Sequence, residues 1–293
     1  VKVVNEIDLH ALIRLVDDPD ESVYTQVRNT IMEFGSDAIP FLENSLDNLD
    51  YELIFHERIQ RIVQDIHFEE IKQKLVQWSH SSDKDLIEGA LIVANYQYKD
   101  LDDTSVYTFI DQLKRSIWLE LNDHQTAFEK VKIINRVFFD LFHFQGDTKN
   151  YHLPSNSFIN DVIDFKKGNP LSLSILYSQV AQSLGVPIYG VNLPNHFILA
   201  FMDENGSNQY LSSHDEFGVL FYINPFSKGS ILDSSAIKDF LKGLQLPFER
   251  DYFEPCSNTT VIRRMITNLI GAFQQVGNSK KVSELDELRK VLD

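Results

Sequence analysis

Two short segments carry the residues whose types and spacing could do chemistry. Gly168-Asn169-Pro170-Leu171-Ser172 reads as the opening of a helix, and Pro194-Asn195-His196-Phe197-Ile198 as the opening of a strand. A nucleophile in the first turn of a helix gains acidity from the helix dipole, and a histidine on a neighbouring strand can serve as its base. That pairing suits acyl transfer. Here the helix offers Pro170 and Ser172 and no cysteine. Serine is a poor nucleophile unless its base is well supported, and Ser172 can equally cap or pack within the first turn.

The elements that must position these residues follow from local signals. Gly146 to Ser157 is rich in turn formers and reads as an irregular loop, with a short helix expected over Phe158–Phe165. Asn169 is a natural N-cap and Pro170 fits the first helical position. Leu171, Ile175, Leu176, Val180 and Leu184 give the helix an apolar face, and Gly185 with Pro187 ends it. Four β-rich runs follow: Ile188–Val191, His196–Phe201, Gln209–Leu211 and Val219–Ile223, with Asn205-Gly206 as a hairpin signal. Alternation places His196, Ile198 and Ala200 on one face of the second strand. Asn224-Pro225-Phe226 closes the last strand, so His196 and Asn224 stand at strand ends. Tyr151, Phe158, Phe197 and Phe226 either line a cleft beside His196 or belong to the core.

Upstream of residue 144 the chain reads as helices. Leu86, Ala90, Val93 and Ala94 form one apolar face, Tyr107, Ile110, Leu113 and Ile117 another, and Val131, Ile134, Val137, Phe138 and Leu141 a third. In the first third, Leu9, Leu12, Ile13 and Val16 make a stripe, followed by Val23, Val27, Ile31 and Phe34, with Gly35 as a stop and Pro40 as a restart. Asp17, Asp20, Val23 and Arg28 recur as Asp47, Asp50, Leu53 and Arg58 at one offset, and Asp50 and Leu53 are echoed by Asp83 and Leu86. A period of roughly 30–40 residues resembles a HEAT-type array, which would present a partner-binding face; a plain helical bundle is the alternative.

Composition narrows the function classes. The 293 residues are 43% hydrophobic, enough for a substantial core, and the net charge of −16 would repel phosphate backbones, which argues against nucleic-acid binding. Cys256 is the one cysteine, so an internal disulfide and a Cys-rich metal site are excluded. It precedes a C-terminal helix whose N-terminus would lower its pKa, leaving a reactive thiol open. His56, His67, His80, His124 and His143 lack metal-ligand spacing, and His152, His196 and His214 share no short spacing either, so no metal is expected. No phosphate-binding glycine pattern occurs, and no cofactor is expected. With no signal peptide and no bilayer-length apolar run in the sequence, the expected location is cytoplasmic, without membrane association.

The ordered motifs Phe158-Ile159, Gly168 to Ser174, Leu184-Gly185-Val186-Pro187, Pro194-Asn195-His196-Phe197 and Asn224-Pro225-Phe226 resemble the transglutaminase-like proteins of the SirB family. The resemblance covers roughly residues 84–293, and Val261 to Leu269 with Val276-Gly277-Asn278 is similar to that family's tetratricopeptide-like ending. With the repeat over the first third, it points to a mostly helical α+β protein: a HEAT-like segment over 1–82, and, by the resemblance, a transglutaminase-like domain with an antiparallel sheet over 83–255 and a helical hairpin over 256–293. The parent superfamily uses cysteine, histidine and aspartate. By that resemblance His196 matches the histidine and Asn224 the orienting acid, while the cysteine position falls near Pro170 to Ser172. Asn195 replaces the glycine usual before the histidine.

Asparagine alone need not abolish activity, since Cys-His-Asn works in papain-like enzymes; the missing thiol weighs more. In a serine protease the aspartate-to-asparagine change costs about 10⁴ in rate. The leading expectation is a non-catalytic binding or scaffold module for a peptide or protein partner, its pocket formed by Tyr151, Asn156, Gly168, Pro170, Phe197 and Phe226. The alternative is an amide hydrolase or acyltransferase using Ser172, His196 and Asn224, or a thiol from Cys256.

Overall fold

The computed structural model describes residues 6–46, 53–203 and 218–293. The chain divides into two compact units, residues 1–77 and 78–293. It is a mostly helical α+β protein.

The first unit holds α1 (Glu6–Ile13), α2 (Glu21–Met32), α3 (Ile39–Leu46) and most of α4 (Leu53–His80). Asp20 starts α2 by accepting the Ser22 amide proton at 2.8 Å, the capping its position between Pro19 and an apolar stripe predicts. Leu9, Ile31, Leu42, Phe55, Ile59 and Ile62 form the centre of the core. Arg58, only 7% exposed, donates to the carbonyls of Val16 and Asp18, pairs with Glu21 and lies over the Tyr24 ring. The sequence echoes share helix initiation but not length. Gly35 breaks the first repeat with a left-handed turn at φ +60°, whereas its counterpart Asp65 sits within the unbroken 28-residue α4 and accepts a salt bridge from Arg28. Asp47 and Asp50 lie outside the described residues.

The second unit begins with three helical segments, α5 (Leu86–Gln97), α6 (Asp103–Trp118) and α7 (Ala127–Asn135), the last continuing as a π-helical turn over Arg136–Leu141. That turn corrects one expected face. Its wider period buries Val137, Phe138 and Phe139 and turns Leu141 out to solvent. Tyr107 is also exposed, and Val106 takes its expected place in the α6 core face. Next come α8 (Ile159–Phe165) and α9 (Pro170–Ser183), flanked by a two-residue parallel pair, β1 (Gln145–Gly146) with β2 (Lys167–Gly168).

A four-stranded antiparallel sheet follows in sequential order: β3 (Ile188–Val191), β4 (Ile198–Met202), β5 (Val219–Asn224) and β6 (Ser230–Leu232). Ile198 pairs with Val191, and Leu199 with Ile223. Strand β6 gave no sequence signal that stood out. The expected strand Gln209–Leu211 and the Asn205-Gly206 turn lie outside the described residues.

The sheet is sandwiched, which is why β4 reads as a continuous apolar run rather than an alternating one. One face receives α9. The other packs Val191, Ile198, Ala200 and Tyr222 with Ile237 and Leu241 of α10 (Ser234–Gly243) and with Phe253. Two further helices, α11 (Asn258–Gln275) and α12 (Ser279–Lys290), form an antiparallel pair turned at Gly277, whose φ is +74°. Tyr177 of α9 donates to Asn135 Oδ1 at 2.9 Å, and Asn135 donates to the Gly229 carbonyl at 2.9 Å. A Cβ at Gly229 would meet the Asn135 carboxamide at 1.9 Å, so this approach and a φ of +69° both require glycine there. No helix among the described residues is long and apolar enough to cross a membrane.

Candidate functional site

The start of α9 is held by a closed set of polar contacts. Asn169 accepts the Ser172 amide proton at 2.9 Å, and Ser172 Oγ accepts the Asn169 amide proton at 3.1 Å, completing a capping box. The Ser172 hydroxyl donates to the Asn156 carbonyl at 2.6 Å, and the Asn169 amide also reaches that carbonyl, at 3.2 Å. The Asn169 side chain donates to Ser157 Oγ at 2.9 Å, and Asn156 Nδ2 donates to the Asn150 carbonyl at 2.7 Å. Asp147 closes the preceding turn by accepting from the amides of Lys149 and Asn150. All five of these side chains, on Asp147, Asn156, Ser157, Asn169 and Ser172, are buried. The loop over 147–157 is thereby stitched across the first turn of α9, because buried polar groups must find partners within the fold. Gly168 permits the closeness: a Cβ there would meet Ser172 Oγ at 2.6 Å.

Ser172 is thus 1% exposed, with its hydroxyl occupied by backbone. Among the described residues no hydrogen bond joins it to His196. Instead His196 stands before β4 rather than in it. Asn195 adopts the left-handed conformation at φ +57°, and the His196 amide closes a turn onto the Leu193 carbonyl at 3.3 Å. Alternation therefore does not reach back to His196, and the face assigned to it from the sequence is corrected. The same geometry accounts for Asn195, since asparagine is among the few residues that tolerate a conformation otherwise left to glycine.

The imidazole is half-buried, with the rings of Phe226 and Phe240 at 6.5 and 6.2 Å. Burial lowers its pKa below the ordinary 6.5, a hydrogen-bonding interaction with Asn224 opposes that, and the nearby Arg264 charge lowers it further. His196 is neutral at pH 7. Asn224 Oδ1 is buried and has no partner in full hydrogen-bond geometry among the described residues; its Nδ2 donates to Ser227 at 3.3 Å.

A cleft of about 320 Å³ opens beside this region. Tyr151, His152 and Ser157 line it from the loop, Asn169 from the cap of α9, Asn195 from the turn before His196, and Arg264, Thr267 and Asn268 from α11. Of the expected pocket residues, Tyr151 lines this cleft. Asn156, Gly168 and Pro170 are buried in the stitched turn, Phe197 is core against Gly190, and Phe226 stands behind Tyr151 with ring centroids 5.8 Å apart. The α11 residues gave no site signal in sequence: Arg264 lies beside an apolar stripe of Val261, Met265 and Leu269, and only the fold shows which side of the helix meets the cleft. A larger space, about 590 Å³, lies between α11 and α12, but its charged groups, Asp286 and Arg289, pair with each other at 2.7 Å.

The remaining candidates fall elsewhere. The Cys256 amide donates to the Gly190 carbonyl at 2.8 Å, and burial pushes the thiol pKa up to about 12, which corrects the lowered value expected from the helix that follows. Among the described residues no group of three histidine, cysteine, aspartate or glutamate side chains converges as a metal would require. His152 lines the cleft, and His214 lies outside the described residues.

The sequence that builds α9, the turn before β4 and the end of β5 falls within a match to a known family. A model of the transglutaminase-like superfamily matches residues 104–267, more than half of the chain. The chain belongs to the transglutaminase-like superfamily. The match begins in α6 and runs into α11, so it includes Arg264 and Thr267. The chain is 27% identical over 194 residues to a UPF0162 protein of Xylella fastidiosa, covering 63% of each. A UPF0162 protein of Vibrio cholerae is 25% identical over 191 residues, covering 64% of this chain and 66% of that protein. F-box only protein 21 of Mus musculus is 30% identical over 144 residues, 49% of this chain and 22% of that one. The chain therefore spans less than two thirds of the length of these relatives. No solved structure matches it.

Proposed function

We propose that this transglutaminase-like domain is a non-catalytic binding module that recognises a peptide or protein partner through the cleft beside α9. The observation that carries this reading is the closed polar seam over the first turn of α9. It occupies the Ser172 hydroxyl and buries it beneath the loop, where a nucleophile would need access to a carbonyl and to a base. Cys256 offers no substitute, because a thiol held near 12 is essentially all protonated at neutral pH. Within this reading the chain is a SirB-type protein, with a HEAT-like segment over 1–82, the site over 83–255, a tetratricopeptide-like hairpin over 256–293, and a cytoplasmic location. The two helical segments are surfaces of the kind that hold protein partners.

The enzyme alternative retains one supporting observation. His196 is a neutral imidazole beside Asn224, which is the protonation state a general base needs. Covalent probes separate the two readings. A fluorophosphonate for serine and a chloroacetamide for cysteine are expected to leave the folded protein unlabelled. Labelling that disappears in Ser172→Ala or Cys256→Ala, and that follows the ionisation of His196, establishes the enzyme instead.

A further inference from the structure

Among the described residues, the other arginines that are buried or half-buried each meet a carboxylate. Arg28 pairs with Asp65, Arg58 with Glu21, Arg263 with Asp293 and Arg289 with Asp286. Arg264 is withdrawn as well and meets none among the described residues. Its Nη1 donates to Asn192 Oδ1 at 3.0 Å and to the Leu193 carbonyl at 3.3 Å, and its Nε to Asn268 Oδ1 at 3.4 Å. These neutral acceptors fix the plane of the guanidinium without neutralising it. The Nη2 amino group has no acceptor among the described residues and is not sealed from solvent. The charge persists in a chain with 43 acidic and 27 basic residues, where an available carboxylate is the commoner circumstance.

Other donors share the cleft. Tyr151 lines it opposite α11; burial raises its pKa, and the neighbouring Arg264 charge lowers it. Its hydroxyl therefore stays protonated and able to donate at neutral pH. Asn195 adds a carboxamide on a turn whose conformation is set by its own backbone. A free guanidinium amino group held in a fixed plane, a phenol and an amide around one cavity suit an anion of single charge. One fixed cation matches a carboxylate better than a phosphate dianion, and Arg264 is the single arginine or lysine among the described residues lining the cleft.

We propose that Arg264, with Tyr151 and Asn195, forms a carboxylate-recognition site in the cleft, so that the bound peptide presents either an acidic side chain or its C-terminal carboxylate there. The proposal rests on the binding-module reading for its biological ligand, but the chemistry can be tested without that ligand. Three small probes serve: N-acetylglycine for a terminal carboxylate, N-acetylglutamic acid 1-amide for a side-chain carboxylate, and N-acetylglutamine amide as the neutral control. The readout is the NMR shift of the Arg264 Nε–H and of the Asn195 and Asn268 side-chain amides in the full chain.

A saturable shift with one or both carboxylates and none with the neutral control supports the site, and the stronger carboxylate identifies the source. In Arg264→Gln the affinity falls by about 10- to 100-fold, and Arg264→Lys recovers part of it. Unchanged melting of both variants shows that they fold. If neither carboxylate shifts these signals, or if Arg264→Gln binds them as tightly as the parent, the proposal is overturned. A peptide library displayed with free and amidated C-termini then tests the parent reading separately. Peptides retained regardless of their carboxylates leave a binding module without this site, and a library from which nothing is retained removes the module reading as well.

Discussion

The first turn of α9 and the cleft next to it are built from similar residues and arrive at opposite ends. In the turn, Asn156, Ser157, Asn169 and Ser172 bond one another and the backbone they touch, so most of their polar capacity is spent within the fold. In the cleft, Arg264, Tyr151 and Asn195 surround open space, and the guanidinium keeps a donor without an acceptor among the described residues. Asn169 belongs to both, with its side chain in the seam and its position on the cleft wall. Residue type alone does not separate a structural polar cluster from a recognition site; what separates them is whether the hydrogen-bonding capacity is used up within the fold.

The contrast is broken most severely at Asn169. Replacing it with alanine removes the α9 cap and orphans the buried partners of its side chain, so Asn169→Ala is expected to lose about 2–4 kcal/mol of stability by urea unfolding. Amide exchange should quicken across residues 150–157 in the same variant. A loss below about 1 kcal/mol would mean that the seam does not hold the loop. Next in size is His196. His196→Ala should lower stability by about 1–3 kcal/mol.

The imidazole also gives a pH signature. Because its folded pKa lies below the ordinary 6.5, the unfolded chain binds more protons in the interval beneath that value. Stability is therefore full above about pH 7, falls as pH drops through 6.5 toward the folded value, and levels below it. The difference between the parent and His196→Gln in this window isolates the contribution, and identical pH curves would contradict a half-buried imidazole with a lowered pKa.

Much of this arrangement was legible in the sequence, and the exceptions have physical causes. The start of α9 could be read because Asn169-Pro170 is a local signal whose meaning does not depend on the rest of the fold. The β3–β4 pairing was legible for the same reason, through its β-rich runs. His196 was misplaced because period-2 alternation assumes extended backbone, and Asn195 interrupts it with a positive φ. Leu141 was misassigned because a π-helical turn changes the period on which helical faces are read. Arg264 falls inside the motif Val261 to Leu269, where nothing local marks it for a site. It lies 68 positions after His196, and no local pattern reports that α11 meets the turn preceding β4.

The smallest expected effects concern Asn195, and they sharpen the comparison from the cleft side. Asn195→Gly keeps the left-handed turn and should change stability by less than about 1 kcal/mol, whereas Asn195→Val forces a β-branched residue into it at roughly 1–2 kcal/mol. Calorimetric melting of the pair distinguishes a backbone requirement from a side-chain one. Equal melting of the two variants would remove the conformational account of this position.

Pro170 sits inside the seam and shares its constraint. It contributes no amide proton to the first turn, and its carbonyl accepts the Ser174 hydroxyl at 2.7 Å, so it sits comfortably where it is. A cysteine written in at Pro170 would still lie under a loop fastened by Asn156, Asn169 and Ser172. Freeing that thiol requires loosening the loop, and each loosening substitution weakens the fold before the thiol is exposed. The first turn of α9 thus couples access to stability: every asparagine or serine bond given up to open the loop is a bond lost from the fold.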